Sequence, residues 1–156
     1  MMTNLVLIKY FGDKWIGTPF KQNGNSHRGI DCKNLINNLI QDIAEIKIDK
    51  PIPIIPHGKE IDAIELFKEF YPSDHIKEYI NGAIIFHNIG RHYAMSMVID
   101  RKTMISVDQS IGVCYKQIQS MKDVEKAILY PKVFQTVTIA KAPGIATFIN
   151  TCKGCN

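Results

Sequence analysis

This chain lacks any apolar stretch near the ~20 residues that span a bilayer; runs such as IPII at 52–55 and AIIF at 83–86 end after four. An integral helical membrane protein is excluded. Basic runs of five or more are also missing, and the 19 basic and 15 acidic residues, net +4, are spread along the sequence. That pattern leaves no electrostatic footprint for nucleic acid. The N-terminal MMTNLVLIKYFGDKW has neither a basic leader region nor a small-residue cleavage site, so no secretory signal is expected and no membrane partner either. Leucine is scarce, six residues against 26 isoleucines, a coding bias without functional weight. Cysteine occurs at 32, 114, 152 and 155 only, too irregular for the paired framework of a small secreted scaffold. Free thiols are expected.

What is present describes a globular chain. With 156 residues, 46% hydrophobic and 22% charged, it is long enough for one domain over 1–156 with a real core. Gly12 to Gly29 is rich in Gly, Asn, Ser and Pro and reads as loop. After Asp31, CKNLINNLIQDIAEI sets Leu35, Leu39, Ile43 and Ile46 on one stripe beside Ile36 and Ile40, the spacing of an amphipathic helix. Asp31 stands at the N-cap and Cys32 at the first helical position. KPIPIIPHG, residues 50–58, predicts an extended connector, because each proline removes a donor and disfavours helix before it. A helix is expected over 59–71 and a shorter one over 74–80. From Gly82 the pattern turns to strands: AIIFHN, HYAMSMVID and TMISVD as an antiparallel meander, with Gly112 to Gln117 as a fourth. A short helix is expected over 120–129 and a β-branched strand over KVFQTVTIA, 132–140. Helices first and strands afterwards indicate an α+β fold.

Cys32 follows a Gly-rich loop and opens a helix, where first-turn N–H groups and the helix dipole favour an anion and lower a thiol pKa. An ordinary buried cysteine would be the alternative. A thiolate nucleophile needs an imidazole placed in space, and five histidines compete: His27, His57, His75, His87 and His92. His92 is favoured, since a histidine at a strand start can lean across the sheet edge toward a helix N-terminus. The imidazole in turn needs a third polar group. Ser106 and Asp108 share one face of the next strand with Met104 and are the two candidates, Asp108 by charge and Ser106 by a neutral hydrogen bond. Met95 and Met97 read as core or groove packing.

WIGTPFKQNGNSHRGIDCKNLINNLI resembles the opening motif of NlpC/p60 cysteine peptidases: an aromatic, a Gly-rich loop, then Gly-x-Asp-Cys starting a helix. NGAIIFHNIGRHYAMSMVI resembles the family's His-initiated strand, and MISVDQSIGV the strand of the third polar residue with a following Gly-Val pair. WIGTPF and the GRH turn are most similar to phage tail-associated cell-wall peptidases. The resemblance covers residues 15 to about 118. It implies a papain-like fold with the cysteine helix packed on an antiparallel sheet. It also implies hydrolysis of an amide in the stem peptide of bacterial peptidoglycan by Cys32 and His92, with cell-wall peptide as substrate and phage tail proteins as candidate partners. This chemistry calls for no metal or organic cofactor. The implied substrate groove contains Phe20, Asp31 and Lys33. The chain departs from the family where Phe20 replaces a tyrosine, Gln22, Asn23 and Gly24 replace Trp-Gly-Gly, Lys33 and Asn34 replace Ser-Gly, and Ser106 replaces a histidine. Absence of a leader fits a cytoplasmic or virion-associated location. The C-terminal Cys152 and Cys155 supply two of the four ligands tetrahedral zinc needs. Besides a peptidoglycan hydrolase, two classes remain: a papain-like hydrolase or acyltransferase on another substrate, and an idle structural subunit.

Overall fold

The computed structural model describes residues 2–48, 60–89, 92–118 and 125–136. Helix α1 (Met2–Asp13) leads into a loop carrying the two-residue strands β1 (Asn25–Ser26) and β2 (Gly29–Ile30), then α2 (Cys32–Ala44) and α3 (Glu60–Phe70). Strands β3 (Ser73–His75), β4 (Ile84–Ile89), β5 (His92–Val98), β6 (Thr103–Asp108), β7 (Gly112–Gln117) and β8 (Glu125–Pro131) follow, closed by a 3-10 turn at Lys132–Thr136. Among the described residues, these six strands form one antiparallel sheet in the order β3-β8-β4-β5-β6-β7. The expected four-strand meander is therefore β4 to β7, and β8 with β3 extends it beyond β4.

The helical stripe explains the packing. Leu35, Ile36, Leu39, Ile40 and Ile43 of α2 are buried against Ile84, Phe86, Met95, Met97 and Ile105 of the sheet, with Leu7 and Ile8 of α1 and Phe67 of α3 closing the core. Strand alternation sends the next residues to the other face, where Ala83, Ile85, Val98, Met104, Ile118 and Ile128 form a second, smaller cluster. The sheet thus has two apolar faces, and α2 covers one of them.

Three sequence expectations are corrected. Ser73 to His75, expected to start a helix over 74–80, is a strand, because Ser73, Asp74 and His75 pair with Pro131, Tyr130 and Leu129. The second half of the helix expected over 120–129 is β8, which lies between β3 and β4 and buries Ile128 and Leu129. Residues 132–136 of the expected final strand form the 3-10 turn, with Phe134 buried in the main core. Pairing with β8 makes β3, burial of Ile128 and Leu129 makes β8, and burial of Phe134 sets the turn, each outweighing local propensity. The proline connector at 50–58, residues 137–140 and the Cys152/Cys155 pair lie outside the described residues. Among the described residues, no helix is long and apolar enough to cross a membrane.

Candidate active site

Cys32 is the first residue of α2, and the loop before it is built to fix that start. Asp31 is the N-cap in extended conformation; its Oδ1 accepts the Asn34 N–H at 2.9 Å and its Oδ2 the Asn23 N–H at 2.8 Å. Asn23 takes a left-handed conformation, φ 60°, that turns its amide inward. Gly24 follows because a Cβ there would stand 2.5 Å from the Gly29 carbonyl oxygen. Its own carbonyl accepts the Asn34 side-chain amide at 2.9 Å. Residues 20–31 and the first turn of α2 are thus one hydrogen-bonded unit, and Asp31 is spent inside it. Phe20, on the outside, is paired to Ile30 through an isolated bridge and is 36% exposed.

α2 delivers Cys32 to strand β5. The described pairing between β5 and β6 covers Met97↔Ile105 and Val98↔Met104. Two residues earlier on β5, the Met95 backbone N–H meets the Cys32 thiol, and the N–H groups of Lys33 and Cys32 itself face the same sulfur. The residue is half-buried, and among the described residues neither Cys32 nor Cys114 forms a disulfide. Burial pushes the Cys32 pKa up; the Met95 N–H opposes this, the Asp31 carboxylate adds to it, and the Lys33 and Cys32 amides oppose it. Burial wins, so the thiol rests protonated, where the helix start alone predicted a lowered pKa. A base is then required to make the nucleophile.

Of the histidines, His92 opens β5 opposite Ile89, three residues before Met95. The structure describes its backbone pairing, and its side chain lies outside what is described. His27 stacks on Trp15, ring centroids 4.1 Å apart, and His75 lies in the exposed strand β3. His57 lies outside the described residues.

The two candidates for the third group fall on the sheet face turned away from α2. Ser106 is buried and hydrogen-bonds the Ser96 hydroxyl, which in turn meets His87 Nε2 at 3.1 Å. Asp108 Oδ1 accepts the N–H groups of Ser110 and Ile111 at 2.7 and 3.1 Å, and Oδ2 pairs with Lys116 Nζ at 2.8 Å. The Lys116 hydrogen bond, joined by those two amides, holds the carboxyl pKa down at about 2. No contact among the described residues joins Ser106 or Asp108 to Cys32.

His87 and Ser96 were not singled out by sequence reasoning as parts of this polar row. The available signal was parity: Ser96, alone between Met95 and Met97, shares a face with Ser106, and His87 shares one with Ile85. His87 is 2% exposed, its Nδ1 has no hydrogen-bond partner among the described residues, and burial, aided by the Lys116 charge, lowers its pKa to about 4.

Beside Cys32 lies a small pocket between α2 and α3, partly open to solvent. Its walls are Ala63, Leu66, Phe67 and Phe70 of α3 with Met95 of β5, and its polar members are Lys33, Asn37 and Tyr71. The Tyr71 hydroxyl donates to Asn37 Oδ1. Lys33 is half-buried, and among the described residues its Nζ reaches Asn23 Oδ1, at 3.3 Å, with no carboxylate near it. No group of three or more potential metal ligands occurs among the described residues.

No family model matches this chain, and no curated protein matches it in sequence. Among solved structures it is similar to the crystal structure of the NlpC/p60 domain of peptidoglycan hydrolase SagA. The TM-score is 0.54 and the identity 15%, over 80% of this chain and 97% of that one. At that identity the likeness is one of architecture: the chain has the papain-like α+β fold of an NlpC/p60 domain.

Proposed function

We propose that this protein is a cysteine hydrolase that cuts an amide bond in the stem peptide of bacterial peptidoglycan. The observation that carries the reading is the position of Cys32, at the start of α2 with three backbone N–H groups about its sulfur. The similarity in fold to a domain of a peptidoglycan hydrolase supports the substrate class.

His92 is the base. It opens β5 three residues, about 10 Å of strand rise, before Met95, whose backbone N–H faces the Cys32 thiol. His92 takes the thiol proton as Cys32 Sγ bonds to the scissile carbonyl carbon, and the oxyanion is held by backbone N–H of the α2 start. The proton passes to the amine as the C–N bond breaks, leaving a thioester on Cys32. Water, deprotonated by His92, then cleaves the thioester and the thiol recovers its proton. Ser106 and Asp108, both engaged elsewhere, leave a two-residue centre, with the Ser96–Ser106 bond steadying β5 from behind. The resemblance of WIGTPF and the GRH turn to tail-associated peptidases supports phage tail proteins as assembly partners.

Digestion of defined muropeptides, read by mass spectrometry, tests the mechanism. Cys32→Ala and His92→Ala should each abolish turnover with an unchanged circular dichroism spectrum. Continued hydrolysis by either variant removes that residue from the mechanism.

A further inference from the structure

We propose that the pocket between α2 and α3 is a specificity site that takes an aliphatic side chain of the substrate residue next to the scissile amide, with Lys33 receiving a carboxylate at the pocket mouth. This deepens the reading of Cys32 as a nucleophile and rests on it.

Three observations carry the inference. The pocket and the nucleophile share Met95: its backbone N–H faces the Cys32 thiol while the residue also lines the pocket. A substrate whose carbonyl reaches the sulfur therefore presents a neighbouring side chain to this opening. The walls from Ala63, Leu66, Phe67 and Phe70 offer nothing to a charged group, and the Tyr71 hydroxyl proton is already given to Asn37 Oδ1. An aliphatic chain gains from leaving water there, and a charged one loses. At the rim, the Lys33 ammonium meets one neutral amide oxygen and no described carboxylate, so an anionic substrate group would complete it. Lysine at this position, where the resembling family carries serine, adds a positive charge one residue from the nucleophile.

The test uses the full-length protein and small alkylating probes. Cys32 is alkylated at fixed pH with iodoacetylglycine, iodoacetyl-leucine, iodoacetyl-leucinamide, iodoacetyl-tryptophan and plain iodoacetamide. Rates are read by peptide mass spectrometry and divided by the iodoacetamide rate of the same variant, with Cys114 as the internal reference thiol. Iodoacetyl-leucine should outpace iodoacetylglycine at Cys32 by about tenfold more than at Cys114. Ala63→Phe should bring that preference close to one, and Leu66→Ala should move it toward iodoacetyl-tryptophan. Lys33→Gln should remove a several-fold advantage of iodoacetyl-leucine over its amide, an advantage that added salt also weakens. If Cys32 reacts with iodoacetamide but discriminates no better than Cys114, or if Ala63→Phe and Leu66→Ala both keep the wild-type preference, the pocket assignment is overturned and the hydrolase reading stands. If the preference holds while muropeptides stay intact, the pocket stands and the peptidoglycan reading falls. A Cys32 that no probe alkylates overturns both.

Discussion

Two titratable groups, the half-buried Cys32 and the buried His87, sit on opposite faces of the sheet, and both are held neutral by desolvation. For Cys32 the consequence is kinetic. A thiol with a raised pKa is not a resting ion-pair partner of an imidazolium, so iodoacetamide labelling of Cys32 should keep rising above pH 9. A plateau near neutrality would show a preformed thiolate and contradict the protonated resting state. For His87 the consequence is thermodynamic. Its folded-state pKa, about 4, lies below the ordinary 6.5 of an unfolded histidine, so the folded form binds fewer protons. Its contribution is therefore present above pH 6.5 and lost as the pH falls toward 4. At about 1.36 kcal/mol per pKa unit the loss reaches roughly 3 kcal/mol. Urea unfolding at pH 7 and pH 4.5 should show most of that drop in the wild type and a much smaller one in His87→Asn.

Among the elements, α2 was the most legible, because its cap, its stripe and its first residue are local features. Asp31 accepts from Asn34 as an N-cap should, and every predicted stripe residue of α2 that ends within the helix is buried. The α3 helix and the β4 to β7 meander were legible for the same reason, since periodicity and tight turns are short-range signals. β3, β8 and the 3-10 turn were not: β8 owes its strand to two neighbours far away in sequence, and no window of ten residues contains that information. The site divides in the same way. Cys32 follows from its cap, whereas the three-N–H setting depends on Met95, which only the packing of α2 on β5 provides. Asp31→Ala removes the acceptor of two backbone amides and should cost about 1–2 kcal/mol in unfolding free energy. Asp31→Asn makes the opposite signs visible together. It should be less stable than the wild type yet alkylate faster at Cys32 near neutral pH, because the carboxylate that raises the thiol pKa is gone.

For the molecule as a whole, the sheet divides the labour: Cys32 and the pocket belong to the face under α2, and the His87–Ser96–Ser106 row to the other. Sequence alternation correctly placed Ser106 and Asp108 on one face but could not say which face α2 covers. That depends on the apolar residues between them, and Ile105 joins the α2 core while Met104 joins the second cluster. If Ser106 and Asp108 act only by holding the strands in place, a particular division of effects follows. Ser106→Ala removes one buried hydrogen bond and should lower stability by about 1 kcal/mol while leaving muropeptide kcat within a few-fold of wild type. Asp108→Asn should loosen the β6–β7 turn and likewise spare kcat, with no shift in its pH profile. A hundred-fold loss of kcat in either variant, with circular dichroism and unfolding midpoint preserved, would make that residue the orienting partner of His92. The sheet would then have to bring its second face to the nucleophile, and the two-residue centre would give way to a three-residue one.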